Sequence, residues 1–335
     1  MGRGHPGPAP AACRFCQGSM ARRRRFTAAV SSSTVPDIEA LTRRPAKFIP
    51  DYLVPMPSHL LTTTLSDLVR APSASSPTVR RPARALPQGH HLVYFPIQTP
   101  PSALGADGAD PDHGPGGAFA RRMWAGGEVV FRAGWRERLV MDGRAWGCRE
   151  GVERVHVKGR EGQEKVFVDV WRRYGLGHEV EDMEYDIEER RTLVFMRNGE
   201  QTSASPTPRR PIKHPHPPTL SASLLPSPTH LFHFSALTFN AHAIHLDPSY
   251  ARATDGHRAL LVHGPLTLAL MLRVLAAAAA GDAGRVKRIA YRNYAPLYVN
   301  EEMRVCARDV DGREWDVWVE GPGGLAVKGT AEMED

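Results

Sequence analysis

Apolar residues along this chain recur mostly in short runs of strand length broken by glycine and other turn residues, with one long exception in the C-terminal third. The segments 128–139, 151–158, 165–174 and 191–196 are β-prone, with Gly-containing turns between most of them, which predicts strands. A second set at 286–294, 302–308, 314–320 and 325–330 has the same character, and WDVWVE at 315–320 alternates so as to bury one face. The exception, 259–280, is interrupted by His263, Pro265 and Arg273. It falls short of the roughly 18 uncharged apolar residues that a spanning helix needs. It therefore predicts a buried helix from near Gly264-Pro265 to Gly281, and no membrane as a partner. Upstream, the aromatic run 231–239 reads as a strand. Asp247 and Pro248 read as the cap and first position of a short helix over 248–253.

Between these sets the pattern dissolves. Residues 71–87 are rich in Pro, Ser and Arg, and 199–230 in Pro, Ser, Thr and His, so both read as linkers. The expected organisation is a leader at 1–36, a first domain with its linker at 37–200, an inter-domain linker at 201–230 and a second domain at 231–335.

Charge sharpens the picture at the N-terminus. The formal charge is +7, and the first 47 residues hold nine Lys or Arg against only Asp37 and Glu39, so the rest of the chain is neutral. A neutral body without a basic stripe argues against a nucleic-acid partner, because phosphate binding needs clustered Lys and Arg. Residues 1–36 carry no acidic side chain, an arginine run at 22–25 and three serines at 31–33, the composition of a mitochondrial transit peptide. A basic tail or a nuclear-localisation run would share parts of that composition. Cys13 and Cys16 fall in this leader and Cys148 and Cys306 stand alone, which suggests neither a disulfide framework nor a zinc site.

The candidate chemistry is concentrated in SALTFNAHAIHLDPSYA, residues 235–251. Asn240, His242 and His245 fall within six positions just ahead of a helix start, where side chains can converge on a cleft. Each has a plainer reading as well: an Asx turn for Asn240, a loop histidine for His242 and, further on, a helix cap for His263. His242 and His245 have possible metal-ligand spacing, but no neighbouring Cys or Glu completes a set, so no metal is expected.

One long apolar helix followed by four antiparallel-looking strands fits a sheet wrapped around a central helix, the hot-dog arrangement. A comparable run of strands in the first half predicts an α+β tandem, or double, hot-dog fold. The pattern N-x-x-x-x-H-x-D-P at 240–248, with VHGPL at 262–266, resembles the MaoC-like enoyl-thioester hydratases and dehydratases. It departs where they carry Asp, here Asn240, and where Asn is usual, here His242. HHLVYFP, RRMWAGG, RNYAPLYVNEEMRV and GLAVKGTAE carry the resemblance over roughly residues 85–335, towards the hydroxyacyl-thioester dehydratase type 2 branch and the similar mesaconyl-CoA hydratase layout.

The resemblance implies a cofactor-independent hydro-lyase acting on an acyl-carrier-protein or CoA thioester in the mitochondrion, as a monomer or homodimer. It also implies that His245 transfers the proton, Asn240 positions water or hydroxyl, and the backbone N–H of Gly264, beside Pro265, holds the thioester oxygen. His242 and Trp124 would line the acyl pocket, although Trp124 could equally be a core residue at a solvated corner. The first half has no equivalent Asn or Asp followed five residues later by His, which implies one active site per chain. A non-catalytic thioester-binding protein is the alternative of another class.

Overall fold

The computed structural model describes residues 1–2, 38–69, 83–96, 98–177, 184–197, 211–278 and 285–334. All but the first two residues of the expected leader, its cysteine pair included, lie outside the described residues. The elements all belong to one compact unit, Val35–Asp335. Its first half runs α1 (Ile38–Thr42), β1 (Lys47–Tyr52), α2 (Pro55–Leu68), β2 (Arg121–Phe131), α3 (Trp135–Arg138), β3 (Ala145–Lys158), β4 (Lys165–Leu176) and β5 (Ile187–Met196). The second half runs β6 (Leu220–Leu224), α4 (Pro228–Thr238), α5 (Pro248–Ala253), α6 (Gly264–Ala278), β7 (Val286–Asn293), β8 (Met303–Asp309), β9 (Glu314–Gly321) and β10 (Gly324–Met333).

The strands form one antiparallel sheet in the order β1-β3-β4-β5-β2-β7-β10-β9-β8-β6. Read from either edge to the middle, the two halves have the same topology, with β1 to β5 matched in turn by β6 to β10. The architecture is an α+β double hot-dog fold, joined where β2 pairs with β7. Helix α6 lies against β6, β7, β8 and β9. Its Leu266, Leu268, Leu270, Met271, Leu272 and Leu275 are buried, so it is apolar nearly all round, as a helix enclosed by a sheet must be.

The first half departs from this plan. Between β1 and β2 it carries α2, which packs against α4, and short 3-10 turns, of which His90–Val93 lies against α6. Aromatic rings fill the interior instead: Trp146 meets Phe95 at 4.4 Å and Tyr94 at 5.0 Å between ring centroids.

Several local expectations are corrected. The run 231–239 is the greater part of helix α4, not a strand. Ser227 caps it, Pro228 occupies its first turn and His230 completes a capping box. Its buried residues, Leu231, Phe234 and Ser235, fall at i, i+3 and i+4, the helical period that the β-prone composition obscured. The stretch 128–139 is a strand only to Phe131, after which Trp135–Arg138 turns into a short helix. Leu220–Leu224, inside the presumed linker, pairs with β8 as an edge strand. Finally, WDVWVE does not alternate cleanly. Val317 and Val319 join the main core, but Trp318 is also buried, stacked under the His214 ring at 3.9 Å.

Leu268→Ala should destabilise the fold by about 2–5 kcal/mol in urea unfolding, because the fully buried side chain sits in a helix closed in by the sheet.

Candidate active site

The polar corner follows helix α4 rather than a strand. Phe239 takes a left-handed conformation at the helix end, and Asn240 N–H returns to Ser235 O at 2.8 Å. The chain then makes a 3-10 turn, Ala243–His245, before Asp247 caps α5 by accepting from the N–H groups of Ser249 and Tyr250. A reciprocal pair of bonds fixes the turn. Leu261 N–H donates to Ile244 O at 3.0 Å, and His245 Nδ1–H donates to Leu261 O at 2.8 Å. A carbonyl can only accept, so the proton sits on Nδ1 and the neutral ring keeps its lone pair on Nε2.

The His245 ring is further held by stacking on His263, with centroids 3.7 Å apart. His263 is in turn fixed by Ser235 of α4, whose hydroxyl lies 2.9 Å from Nε2. Burial, with His263 and His242 close by, holds the His245 pKa well below that of free imidazole, and burial takes His263 down to about 3. Both rings are therefore neutral near pH 7.

Asn240 takes the Asx-turn geometry, its Oδ1 accepting His242 N–H at 3.1 Å. One carbonyl lone pair and the NH2 group remain for other partners. His242 is buried and turns Nε2 towards Asp107, 3.3 Å away on the first half's long loop. Burial works to raise the Asp107 pKa, yet the bonds from His242 and from Ala109 N–H carry it below the usual carboxylate value.

Gly264 and Pro265 open α6 half-buried beside His263, so the first-turn N–H groups, which have no carbonyl within the helix to bond, and the positive end of the helix dipole face this corner. Trp124 reaches them from β2. A bulge at Ala125 interrupts the β2–β5 register, and Trp124 Nε1 donates to Tyr291 Oη at 2.8 Å. A Cβ on Gly264 would lie 2.7 Å from Trp124 Cγ, so glycine is required here by the indole that packs on it. All six residues that the sequence singled out, Asn240, His242, His245, Gly264, Pro265 and Trp124, line one cavity of about 950 Å3 formed by both halves.

The sequence did not single out Asp107 or Ser235, and it treated His263 as a cap. Asp107 lies more than a hundred residues away, with no local signal linking it to the corner. Ser235 was hidden by reading α4 as a strand. His263, next to the glycine that opens α6, was the one with a usable signal.

The family model for hydroxyacyl-thioester dehydratase type 2 matches residues 89–299. This chain belongs to that family. It is similar to the mesaconyl-C(4)-CoA hydratase of Chloroflexus aurantiacus, 34% identical over 270 residues, covering 78% of this chain and 88% of that protein. It is also similar to the mitochondrial hydroxyacyl-thioester dehydratase type 2 of Schizosaccharomyces pombe, 26% identical over 289 residues, covering 79% and 90%. Among solved structures, a MaoC-like dehydratase from Phytophthora capsici shares the fold, with a TM-score of 0.59 and 14% identity over 89% of this chain and 99% of that one. This member of the type 2 dehydratases is a hydro-lyase of acyl thioesters.

Two outcomes follow. Gly264→Ala should force Trp124 aside, costing about 1–3 kcal/mol in thermal unfolding and most of the turnover, since the indole and the helix start cannot both keep their places. The second concerns pH. His245 and His263 share their depressed pKa with buried His90, at about 3, and His91, at about 4, whereas each titrates near 6.5 in the unfolded chain. The unfolded state thus binds more protons below that value. Stability should be whole above about pH 6.5 and fall steadily towards pH 4. A thermal midpoint that stays level from about pH 7.5 to about pH 4.5 would contradict this.

Proposed function

We propose that this site catalyses the reversible dehydration of 3-hydroxyacyl thioesters to trans-2-enoyl thioesters, with acyl-carrier-protein substrates in mitochondrial fatty acid synthesis. The observation that carries the reading is the pairing of a neutral His245, whose Nδ1–H is committed to Leu261 O, with the start of α6 in one cavity. Nε2 is then the nitrogen that takes the C2 proton in dehydration and returns it in hydration. The Gly264 N–H receives the negative charge that grows on the thioester oxygen as the C2–H bond breaks, aided by the helix dipole. Asn240 orients the C3 hydroxyl, or the attacking water, through its NH2 group and remaining lone pair. Trp124 walls the thioester side of the cavity. The sequence of the first half has no Asn or Asp followed five residues later by His, which supports one active site per chain.

The leader composition of residues 1–36 and the mitochondrial names of the fungal relatives support the location. A tagged chain lacking residues 1–36 should lose mitochondrial import.

A second reading, a CoA hydratase for a dicarboxylic acyl group of the mesaconyl kind, is favoured by Arg172 and Arg191 on the cavity wall and by the name of the 34% identical relative. Each arginine already has a carboxylate partner, Glu150 and Glu189, which tempers their pull on a substrate anion. His245→Ala should cut hydration of trans-2-enoyl-CoA by at least ~10²-fold, read as the slowed loss of thioester-conjugated absorbance. In the unmodified chain, kcat/KM for an enoyl thioester on carrier protein should far exceed that for mesaconyl-CoA. The reverse order would select the second reading.

A further inference from the structure

Dehydration needs two proton transfers at different atoms, one from C2 and one to the hydroxyl leaving C3. With His245 taking the first, the second is left without a proton carrier, because the amide of Asn240 cannot exchange a proton usefully near pH 7. A carrier must line the same cavity, be able to hold a proton, and stand close enough to His245 for one substrate to touch both.

His242 meets these requirements. It lines the cavity, and its ring is nearly perpendicular to that of His245 with centroids 5.6 Å apart, a gap that the C2 hydrogen and C3 hydroxyl of one substrate can bridge. Its Nε2 is engaged by the Asp107 carboxylate, which leaves Nδ1 as the nitrogen for substrate.

The loop that brings Asp107 is built for this contact. Ala243 N–H, in the turn that carries His245, donates to Asp107 O at 2.8 Å. Gly108 has a left-handed φ of 73°, and a Cβ there would lie 2.2 Å from Ala241 O, so only glycine allows the loop to seat this closely. The Asp107 side chain is held by Ala109 N–H at 3.0 Å.

We propose that His242, backed by Asp107, is the second proton-transfer group of the site, and that the first half of the chain thereby supplies the negative charge that an amide at 240 cannot. His242 is the catalytic acid and Asp107 its positioning residue. The proposal rests on the reading of His245 as the C2 base. In dehydration, His245 Nε2 takes the C2 proton and that bond's electron pair becomes the C2–C3 double bond as the C3–O bond breaks. His242 gives the Nδ1 proton to the departing hydroxyl, which leaves as water. The proton on His245 returns to His242 through water, restoring both rings, and hydration runs the same steps in reverse. Among the described residues, ionisable groups that interact with His242 are Asp107 from the first half and His245, His257 and His263 from the second, with Arg122 beside Asp107 and His245, and of these Asp107 alone is an anion.

The test uses the full chain and 3-hydroxyacyl- and trans-2-enoyl-CoA. Asp107→Asn keeps an oxygen for Ala109 N–H but removes the charge. His242→Gln should lower kcat by ~10²-fold and Asp107→Asn by ~10-fold or more, with KM nearly unchanged. The pH profile of dehydration kcat should also differ between Asp107→Asn and the unmodified chain, because the carboxylate charge facing the His242 ring is gone. Asp107→Glu should recover much of the rate. The double variant should be no slower than His242→Gln alone, since the two act as a unit. Circular dichroism and the thermal midpoint establish that each variant is folded; should Asp107→Asn not fold, His242→Gln and Asp107→Glu decide the matter. Wild-type kcat and pH profile in folded Asp107→Asn, or near wild-type turnover in folded His242→Gln, would overturn the proposal while leaving His245 in place. Turnover by His245→Ala would instead remove the reading on which it stands.

Discussion

The antiparallel ladder between β2 and β7 is the constraint on which the site depends. It pairs Gly126 to Val130 with Arg292 to Arg288 and so sets the register of one half of the sheet against the other. Side chains alternate along strands, so a slip of one residue would turn Trp124 away from the cavity. Polar bonds pin the same register at the strand end, where Trp124 Nε1–H donates to Tyr291 Oη and Asn293 Nδ2–H donates to Trp124 O, each at 2.8 Å. Trp124 is thereby set against Gly264, and the loop that precedes β2 is carried over the turn that holds His245. The cavity exists only because this seam joins the halves.

Within it, low polarity decides what each histidine can do. Buried His245 and His263 favour the uncharged form, since desolvation penalises imidazolium, and neither has an acidic partner. His242 differs by having Asp107 within 3.3 Å. Two imidazoles three residues apart are thus placed in unlike electrostatic settings by a side chain from elsewhere in the chain. The proposed division into a base and an acid rests on that difference in setting, without any difference in residue type.

Much of this was legible in the sequence, and the exceptions have physical causes. Strand runs, the helix entry at Asp247-Pro248 and the buried helix opening at Gly264 were read correctly because period, caps and turn residues agree there. Helix α4 was misread because Phe232 and Phe234, with Phe239 just past its end, lend the run a β-prone composition, while the deciding signals, the Ser227 cap and Pro228, lie just upstream of it. The corner residues could be found because they are local to one another. The Asp107 contact could not, because the pairing is created by the fold. Trp318 illustrates the same limit: its outward position promised exposure, and a ring from the supposed linker covers it.

The unequal interiors of the halves fit the proposed confinement of the chemistry to the second. The proposed site uses the start of the enclosed helix, where first-turn N–H groups and the helix dipole face the cavity. The first half keeps only the turn His90–Val93 in that place, and Gly89, which opens it, packs against Ala269 and Leu272 of α6 rather than against a cavity. Besides Trp124 and the Asp107 contact, the first half offers the cavity a charged wall. Arg172 and Arg191 pair with Glu150 and Glu189, and Tyr174 Oη–H also donates to Glu189. Well-packed apolar residues could replace such buried pairs at little or no cost in stability, so stability alone does not account for them. Arg172, Arg191 and Glu150 lie on the cavity wall, which supplies a reason: a polar surface there faces whatever acyl group enters, while the proposed proton transfers fall to the corner in the second half.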